Sequence, residues 1–308
     1  MLYQHKSVLL TESIEGLAIN PKGIYIDATF GRGGHSAAIL ACLSEQGRLL
    51  AFDKDPVAEQ AAKDLFSTDA RFEFVRGSFT QLWDALVARS WQGRVDGLLL
   101  DLGVSSPQLD EASRGFSFNR EGPLDMRMDP EQDMDAATWL NEATAIDISR
   151  VLRYYGEEKH SRRIALAIVE ARALAPITTT RQLSEIVSSV YPAHLSKKHP
   201  ATRTFQAIRI YINRELDELK ETLAMIPDVL APGGRLSAIS FHSLEDRLVK
   251  RFIQRESTAE MLAHDLPVRD LHANARMKKI GPLIRPTAEE IVQNVRSRSA
   301  RLRIAERV

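Results

Sequence analysis

Two stretches of this sequence combine residue types and spacings suited to holding a nucleoside-like ligand. The denser is Asp27-Ala28-Thr29-Phe30-Gly31-Arg32-Gly33-Gly34-His35-Ser36, an acid followed by clustered glycines. Between a strand and a helix, glycines let the backbone turn sharply and approach a ligand without Cβ clashes. The N–H groups that open the following helix have no intrahelical acceptor and can donate to that ligand. Taken alone, the turn is equally a plain strand-to-helix connection. The second stretch supplies another acid, Asp53, at the end of the next apolar run. A carboxylate there can accept hydrogen bonds from both hydroxyls of a ribose. Asp53 by itself would serve a nicotinamide dinucleotide as well. The glycine spacing, D-x-x-x-G-x-G-G, departs from the G-x-G-x-x-G of dinucleotide sites and favours S-adenosylmethionine.

Further along, Asp101-Leu102-Gly103-Val104-Ser105-Ser106-Pro107 ends a fourth apolar run with an acid and two hydroxyls. His242 follows a fifth such run. Asp101, Ser105, Ser106 and His242 are candidates for contact with a reacting group, each weighed against a structural hydrogen bond or, for Asp101, a role in cofactor binding alone. No metal is expected. His194 and His199 have Lys197 and Lys198 between them and no cysteine nearby. Cys42 is the one cysteine, and its run Ile39-Leu40-Ala41-Cys42-Leu43 reads as core packing, not as a nucleophile.

The elements that must position these groups alternate. Residues 23–27, 48–53, 72–75 and 97–101 read as strands, with helices from about Ser36 to Glu45 and from about Pro56 to Phe66. Continuous apolar strands separated by helices predict a parallel sheet covered on both faces. A Gly/Pro/Ser/Asp-rich stretch from about Gly103 to Asp135 breaks this rhythm. Helical stripes follow at Ile148–Tyr155, Ile164–Ala171 and Leu183–Val190, the last with Thr180 as its N-cap. A longer stripe runs from Phe205 to Leu223 and stops near Pro227. The turn Ala231-Pro232-Gly233-Gly234 then leads into a fifth strand at 235–241. A helix opens at Ser243, and β-rich stretches remain near 279–284 and 302–305. The expected topology is one α/β domain, residues 1–110 with 203–308, interrupted between strands four and five by a helical insert at 111–202. Ordinary loops have about 4–6 residues, so a segment of this length must be a unit of its own.

The bulk numbers narrow the function classes. The 308 residues carry 41 basic and 41 acidic side chains, so any nucleic-acid surface must be a local patch. One cysteine excludes an internal disulfide and suits a reducing compartment. No run approaches the roughly 18 apolar residues of a membrane span. A cytoplasmic protein is expected, with its oligomeric state open, a homodimer included.

Several long blocks together resemble the RsmH (MraW) family. They are His5–Leu10, Asp27–Ser36, Asp53-Lys54-Asp55-Pro56, Asp101–Asp110, Arg114-Gly115-Phe116-Ser117-Phe118, Gly122–Met128, Tyr155-Gly156-Glu157-Glu158, His199–Ala207, Ser240–Arg247 and Arg296–Arg303. They occur in the family's order from His5 to the C-terminus. The turn Pro232-Gly233-Gly234-Arg235-Leu236 is similar to one in class I methyltransferases. The resemblance implies a class I, Rossmann-like methyltransferase sheet with an all-helical insert, acting on the N4 amine of a cytidine in the decoding centre (P site) of 16S rRNA. It also implies a cofactor set for S-adenosylmethionine. Gly33, Gly34 and His35 would line the methionine and ribose side, Asp53 the ribose and Phe79 the adenine, with Asp101 and Gln108 at the methyl-donor end.

An RNA enzyme must unstack its target base, and aromatics beside basic residues are the expected tools. Arg114, Phe116 and Phe118 fit that pattern. Lys197, Lys198, His199, Arg203 and Arg209 form a basic run. The tail from Arg276 holds nine Lys/Arg against three acids, Arg298 and Arg301 among them. Arg120 and Arg127, set among acids, read as structural pairs. The expected partner is 16S rRNA within the small ribosomal subunit, with no membrane. The competing readings are a methyltransferase on DNA or a small molecule, a non-catalytic ribosome-assembly or RNA-binding factor, and an NAD-dependent oxidoreductase. The Pro-Pro-aromatic that commonly follows the acid in amino-methylating DNA enzymes is missing here, which counts against DNA.

Overall fold

The computed structural model describes residues 7–191, 199–258 and 275–308, with Ser106 described by its backbone alone. Four apolar runs become β1 (Ile24–Asp27), β2 (Arg48–Asp53), β3 (Phe72–Arg76) and β4 (Val95–Asp101). Between and before them lie α1 (Leu10–Leu17), α2 (Gly34–Cys42), α3 (Pro56–Phe66) and α4 (Leu82–Arg89). Asp55 caps α3 by accepting the Val57 N–H, and Pro56 sits at the first-turn position that tolerates it. Cys42, expected in the core, is exposed. It closes α2 beyond the buried stripe of His35, Ser36, Ile39 and Leu40.

A helical unit follows, built of α5 (Ser106–Asp110), α6 (Ala136–Glu142), α7 (Ala145–Gly156), α8 (Ser161–Leu174), α9 (Thr180–Ser189) and α10 (Ala201–Ile212). Its own core joins Ile148, Val151 and Leu152 with Ile164, Ile168, Leu183, Val187 and Ile208. The N-cap of α9 is Thr179, not Thr180. The long stripe is two helices: α10 ends at Asn213 and Arg214, and α11 (Glu215–Val229) begins afresh. Arg214 takes φ 52°, a left-handed conformation that stops a helix. Pro227 lies inside α11 and does not end it.

The α/β pattern returns with β5 (Leu230–Ser240), α12 (Ser243–Ser257), β6 (Met277–Ile284), α13 (Ala288–Gln293) and β7 (Arg301–Arg307). The seven strands are ordered β3-β2-β1-β4-β5-β7-β6. β1 to β5 run parallel, and β7 pairs antiparallel with β5 and β6. The expected turn at 231–234 is an excursion within β5: Leu230 faces Val95, and the next pairing is Arg235 with Gly97. The sheet core gathers Ile26, Leu50, Phe52, Leu98, Leu100, Leu236 and Ala238 with Leu223 and Phe252 from the helices.

Two compact units result, Met1–Gly103 with Leu216–Val308, and Val104–Glu215. The dividing points thus fall at 103/104 and 215/216, where 110/111 and 202/203 were expected. α10 explains the second shift, because Phe205, Ala207, Ile208 and Ile212 belong to the helical core. No helix among the described residues is long and apolar enough to cross a membrane.

Candidate active site

In the parallel part of the sheet the chain order reverses beside β1, between β2 and β4. At such a switch point the loops after neighbouring strands splay apart and leave a crevice at the carboxyl edge. Asp27 and the glycine turn leave β1 there, Asp53 ends β2, and Phe79 follows β3. Asp101 ends β4, and His242 follows β5. The α/β unit therefore brings His35, Asp53, Phe79, Asp101 and His242 to one edge.

The turn after β1 is held at both ends. Asp27 accepts from Ser36 Oγ at 2.6 Å and from the Thr29 N–H at 3.2 Å. Thr29 Oγ1 in turn accepts the Asp101 N–H at 2.6 Å, tying β4 to the turn. Phe30 plugs into an aromatic cluster, 5.4 Å from Phe74 and 5.9 Å from Phe72 between centroids. Gly33 caps α2 with φ 76°, and a Cβ there would meet the Phe30 ring at 2.7 Å. Glycine is therefore required twice over, by conformation and by space. Asp53 Oδ2 accepts the Gly31 N–H and Oδ1 the Asp55 N–H, at 2.8 and 2.9 Å. The Lys54 backbone adds a third hydrogen bond, which leaves one of the carboxylate's four acceptor positions for a ligand.

Three acids share this edge, and burial raises the pKa of all of them. Asp27 is pushed up to about 6 by desolvation and further by Asp53, against the pull of its hydrogen bonds. Asp53 is raised chiefly by desolvation. Asp101 is held well above the ordinary carboxylate range by desolvation, then by Asp27 and Glu245. A quarter of the Asp101 side chain is accessible, yet its Oδ1 is buried without a hydrogen-bond partner.

His35 Nδ1 lies 3.6 Å from Asp101 Oδ2, the spacing of an ion pair. Burial, however, lowers the His35 pKa to about 4, so the ring is neutral at pH 7. Its Nε2 faces the Val8 carbonyl at 3.2 Å, and a carbonyl only accepts. The proton is therefore on Nε2, and Nδ1 turns a lone pair toward Asp101. A protonated Asp101 satisfies that lone pair, whereas a carboxylate would oppose it. With the ring neutral, the contact is not a salt bridge.

His242 is the N-cap of α12. Its Nδ1 accepts the Glu245 N–H at 3.4 Å, and Glu245 Oε2 accepts the Phe241 and His242 N–H groups. This is a capping box with histidine in the place of serine or threonine. It leaves the proton on Nε2, 3.1 Å from Glu245 Oε1 but too far off line to hydrogen-bond.

The other expected residues lie on other segments of the two units. Gln108 is buried in the helical unit, where its Oε1 accepts the Ser105 N–H at 2.9 Å. Ser106 opens α5, its side chain outside the described residues, as are Lys197 and Lys198. Phe116 is 5% exposed inside the helical core and offers no face to a base. Arg114 donates to the carbonyls of Arg127 and Met128 and reaches over the Phe116 ring. Phe118 stacks on His199 at 4.4 Å and meets Phe205 edge-on. Arg203 is exposed and donates to the Glu157 carbonyl. Arg209 is paired bidentately with Glu215. Arg127 pairs with Asp125, as expected, and Arg120 donates to the Asp110 carbonyl. Arg301 and Arg303 clamp the buried Asp246 and pin β7 to α12, so Arg301 serves the fold. Arg298 is exposed. Sequence reasoning missed the anchoring role of Phe30, although a lone aromatic inside a glycine turn was a visible signal. It also missed Thr29 and the Val8 carbonyl, whose roles depend on strands far apart in sequence.

A Coxiella burnetii protein named ribosomal RNA small subunit methyltransferase H is 59% identical over 304 residues, 99% of each chain. One of the same name from Pseudoalteromonas atlantica is 55% identical over 306 residues, 99% of this chain and 98% of its own. A solved rRNA methylase from Streptococcus thermophilus aligns with 100% of this chain and 99% of its own at 14% identity and a TM-score of 0.42. The profile of the MraW methylase family matches residues 2–308. With an acid-lined glycine turn at the sheet's switch point and a profile match across nearly its whole length, the chain belongs to the MraW methylase family.

Proposed function

We propose that this protein moves the methyl group of S-adenosylmethionine to the exocyclic N4 of a cytidine in the decoding centre (P site) of 16S rRNA, within the small ribosomal subunit. The observation that carries the reading is the row of three acids around a glycine turn, Asp27 buried and Asp53 and Asp101 half-buried, all with pKa values raised by desolvation, in a chain 59% identical to a small-subunit rRNA methyltransferase. Buried carboxylates are costly unless opposite charge neutralises them. A cofactor with a sulfonium and an ammonium group meets that need, and the orphaned Asp101 Oδ1 fits it. The N4 target is what the resemblance of the matched blocks, from His5 to the C-terminus, to the RsmH (MraW) family implies.

S-adenosylmethionine, when bound, supplies an electrophilic methyl group. Gly33, Gly34 and His35 would line its methionine and ribose side, Asp53 its ribose and Phe79 its adenine, with Asp101 and Gln108 at the methyl-donor end. The remaining work belongs to the chain. Cytosine N4 is a poor nucleophile because its lone pair is delocalised into the ring, so alignment matters most. Asp101, ionised once positive charge lies near it, accepts a hydrogen bond from the N4 amine and localises the lone pair. As N4 bonds to carbon it becomes cationic and must lose one proton. Asp101 is the acidic group placed to orient that proton's departure.

The test is methyl transfer from labelled S-adenosylmethionine to small subunits lacking the modification, followed by nucleoside mass analysis. N4-methylcytidine, or its 2′-O-methyl form, at one decoding-centre position is the expected product. Tight cofactor binding with no transfer to RNA would overturn the substrate assignment.

A further inference from the structure

Most arginines of the helical unit are spoken for. Arg114, Arg120, Arg172 and Arg203 donate to backbone carbonyls. Arg127, Arg150, Arg181 and Arg209 pair with carboxylates. Among the described residues of this unit, four cations make no ion pair or side-chain hydrogen bond: Arg153, Lys159, Arg162 and Arg163. All four are exposed. They are not scattered. Arg153 sits in the last turn of α7, Lys159 in the connection, and Arg162 and Arg163 in the first turn of α8.

The corner they share is rigid. α7 and α8 bury Val151, Leu152, Ile164 and Ile168 in the common core. α10 abuts the corner so closely that a Cβ on Gly156 would lie 2.7 Å from the Arg203 carbonyl oxygen. The exposed Arg203 guanidinium reaches the Glu157 carbonyl, adding a fifth cation. Tyr154 stands beside them, 62% exposed. Of the two acids in the connection, Glu158 is buried and accepts the His160 N–H, which leaves Glu157 facing outward. Cations held apart by a rigid scaffold repel one another, and an opposing polyanion relieves that repulsion.

We propose that the α7–α8 corner docks the sugar–phosphate backbone of RNA, with Arg153, Lys159, Arg162 and Arg163 on phosphates and Tyr154 against a sugar or base. The inference deepens the rRNA reading given above and rests on it. Guanidinium groups suit phosphate oxygens because their planar fork donates two parallel hydrogen bonds. An exposed aromatic among them suits unstacked bases better than an acidic protein surface. The contacts expected in the Arg114–Phe118 segment move here, because Phe116 and Arg114 are engaged internally.

The test compares wild type with Arg153→Ala/Arg162→Ala/Arg163→Ala, and with the same three positions changed to Lys. Binding to a naked 16S rRNA fragment spanning the target is measured across a salt series, alongside KM for small subunits and Kd for S-adenosylmethionine. Each phosphate contact contributes about 0.7 to 0.9 to the slope of log K against log salt. The Ala variant is expected to flatten that slope by roughly 2 to 3 and raise KM at least tenfold, with cofactor Kd unchanged. The Lys variant should keep most of the slope, because charge is retained. An unchanged slope in the Ala variant overturns the proposal. So does a raised KM for subunits with normal binding to naked RNA, which would assign the corner to a ribosomal protein. If wild type binds the fragment with a slope that the Ala variant flattens, yet leaves subunits unmethylated, the corner stands and the function reading falls.

Discussion

Asp27 and His35 lie on one short turn and titrate in opposite senses, which gives the α/β unit a hidden pH dependence. In the unfolded chain Asp27 ionises near 3.8, in the fold near 6. Between those values the folded state holds the extra proton, so stability falls as pH rises. The gap corresponds to about 3 kcal/mol, fully lost above pH 7. His35 runs the other way. Its ordinary value of 6.5 drops to about 4 in the fold, so between those values the unfolded state holds the extra proton. Stability from this ring therefore rises with pH, also by about 3 kcal/mol. Between pH 4 and 6 the two slopes nearly cancel, and Asp101 and Asp53 add to the Asp27 side.

Asp27→Asn separates them. Asparagine keeps an acceptor for the Thr29 N–H and can donate to Ser36 Oγ. The difference between variant and wild type should therefore grow from near zero at pH 4 to about 3 kcal/mol in the variant's favour at pH 7. Removing the Asp27 charge also relieves Asp101, which moves the difference the same way. His35→Gln should show the mirror image, with stability falling across the same window. The assay is urea unfolding at pH 4.5 to 7.5, read by pulsed hydrogen exchange in peptides from β1 and β4 to follow this unit alone. Parallel profiles for wild type and Asp27→Asn would refute the reasoning, because they would mean the carboxyl ionises as it does in water.

Three further outcomes follow from the geometry. Asp101→Asn should lower single-turnover methyl transfer at least about 100-fold while S-adenosylhomocysteine binds within a few-fold of wild type, and equal turnover would remove Asp101 from the chemistry. His242→Asn should keep both the α12 cap and turnover, because asparagine is a good N-cap, whereas His242→Ala should cost about 1 kcal/mol in urea unfolding. Asn213→Ala should destabilise the helical unit by roughly 2–4 kcal/mol, measured as loss of exchange protection in α7 and α10. The buried Asn213 side chain bonds the Met126 carbonyl and the Met128 N–H, and its loss strands both, while the Arg209 carbonyl keeps the Asn213 backbone N–H.

The same residue shows where sequence reading stops. β1 to β5 were legible because each holds a short, β-rich, largely apolar run, and the first, second and fourth end in an acid that marks the carboxyl edge. The insert was legible because no ordinary loop is that long. The break between α10 and α11 was not. The apolar stripe runs unbroken from Phe205 to Leu223, and the interruption depends on Asn213 reaching backbone groups 85 and 87 positions away. Arg114 and Phe116 misled for the same reason. A basic residue beside aromatics is the local mark of RNA contact, but the carbonyls that occupy Arg114 lie 13 and 14 positions on, beyond the reach of a local pattern.

The acids at the carboxyl edge explain why the site was legible even so. Three partly or fully desolvated carboxyls with raised pKa values destabilise the folded protein at neutral pH, and an amide side chain at any of them would relieve that cost. A stable scaffold has no use for such a group, whereas a site for a cationic ligand does, because the ligand's charge favours the ionised carboxylates that the empty fold disfavours. The stabilisation on binding should thus grow with pH for S-adenosylmethionine and grow less for its neutral-thioether product. That difference would also favour release of product after methyl transfer. Thermal shift measured with both ligands at pH 5.5 and 8 tests this directly: an equal pH response for the two would mean that the acids do not sense the sulfonium.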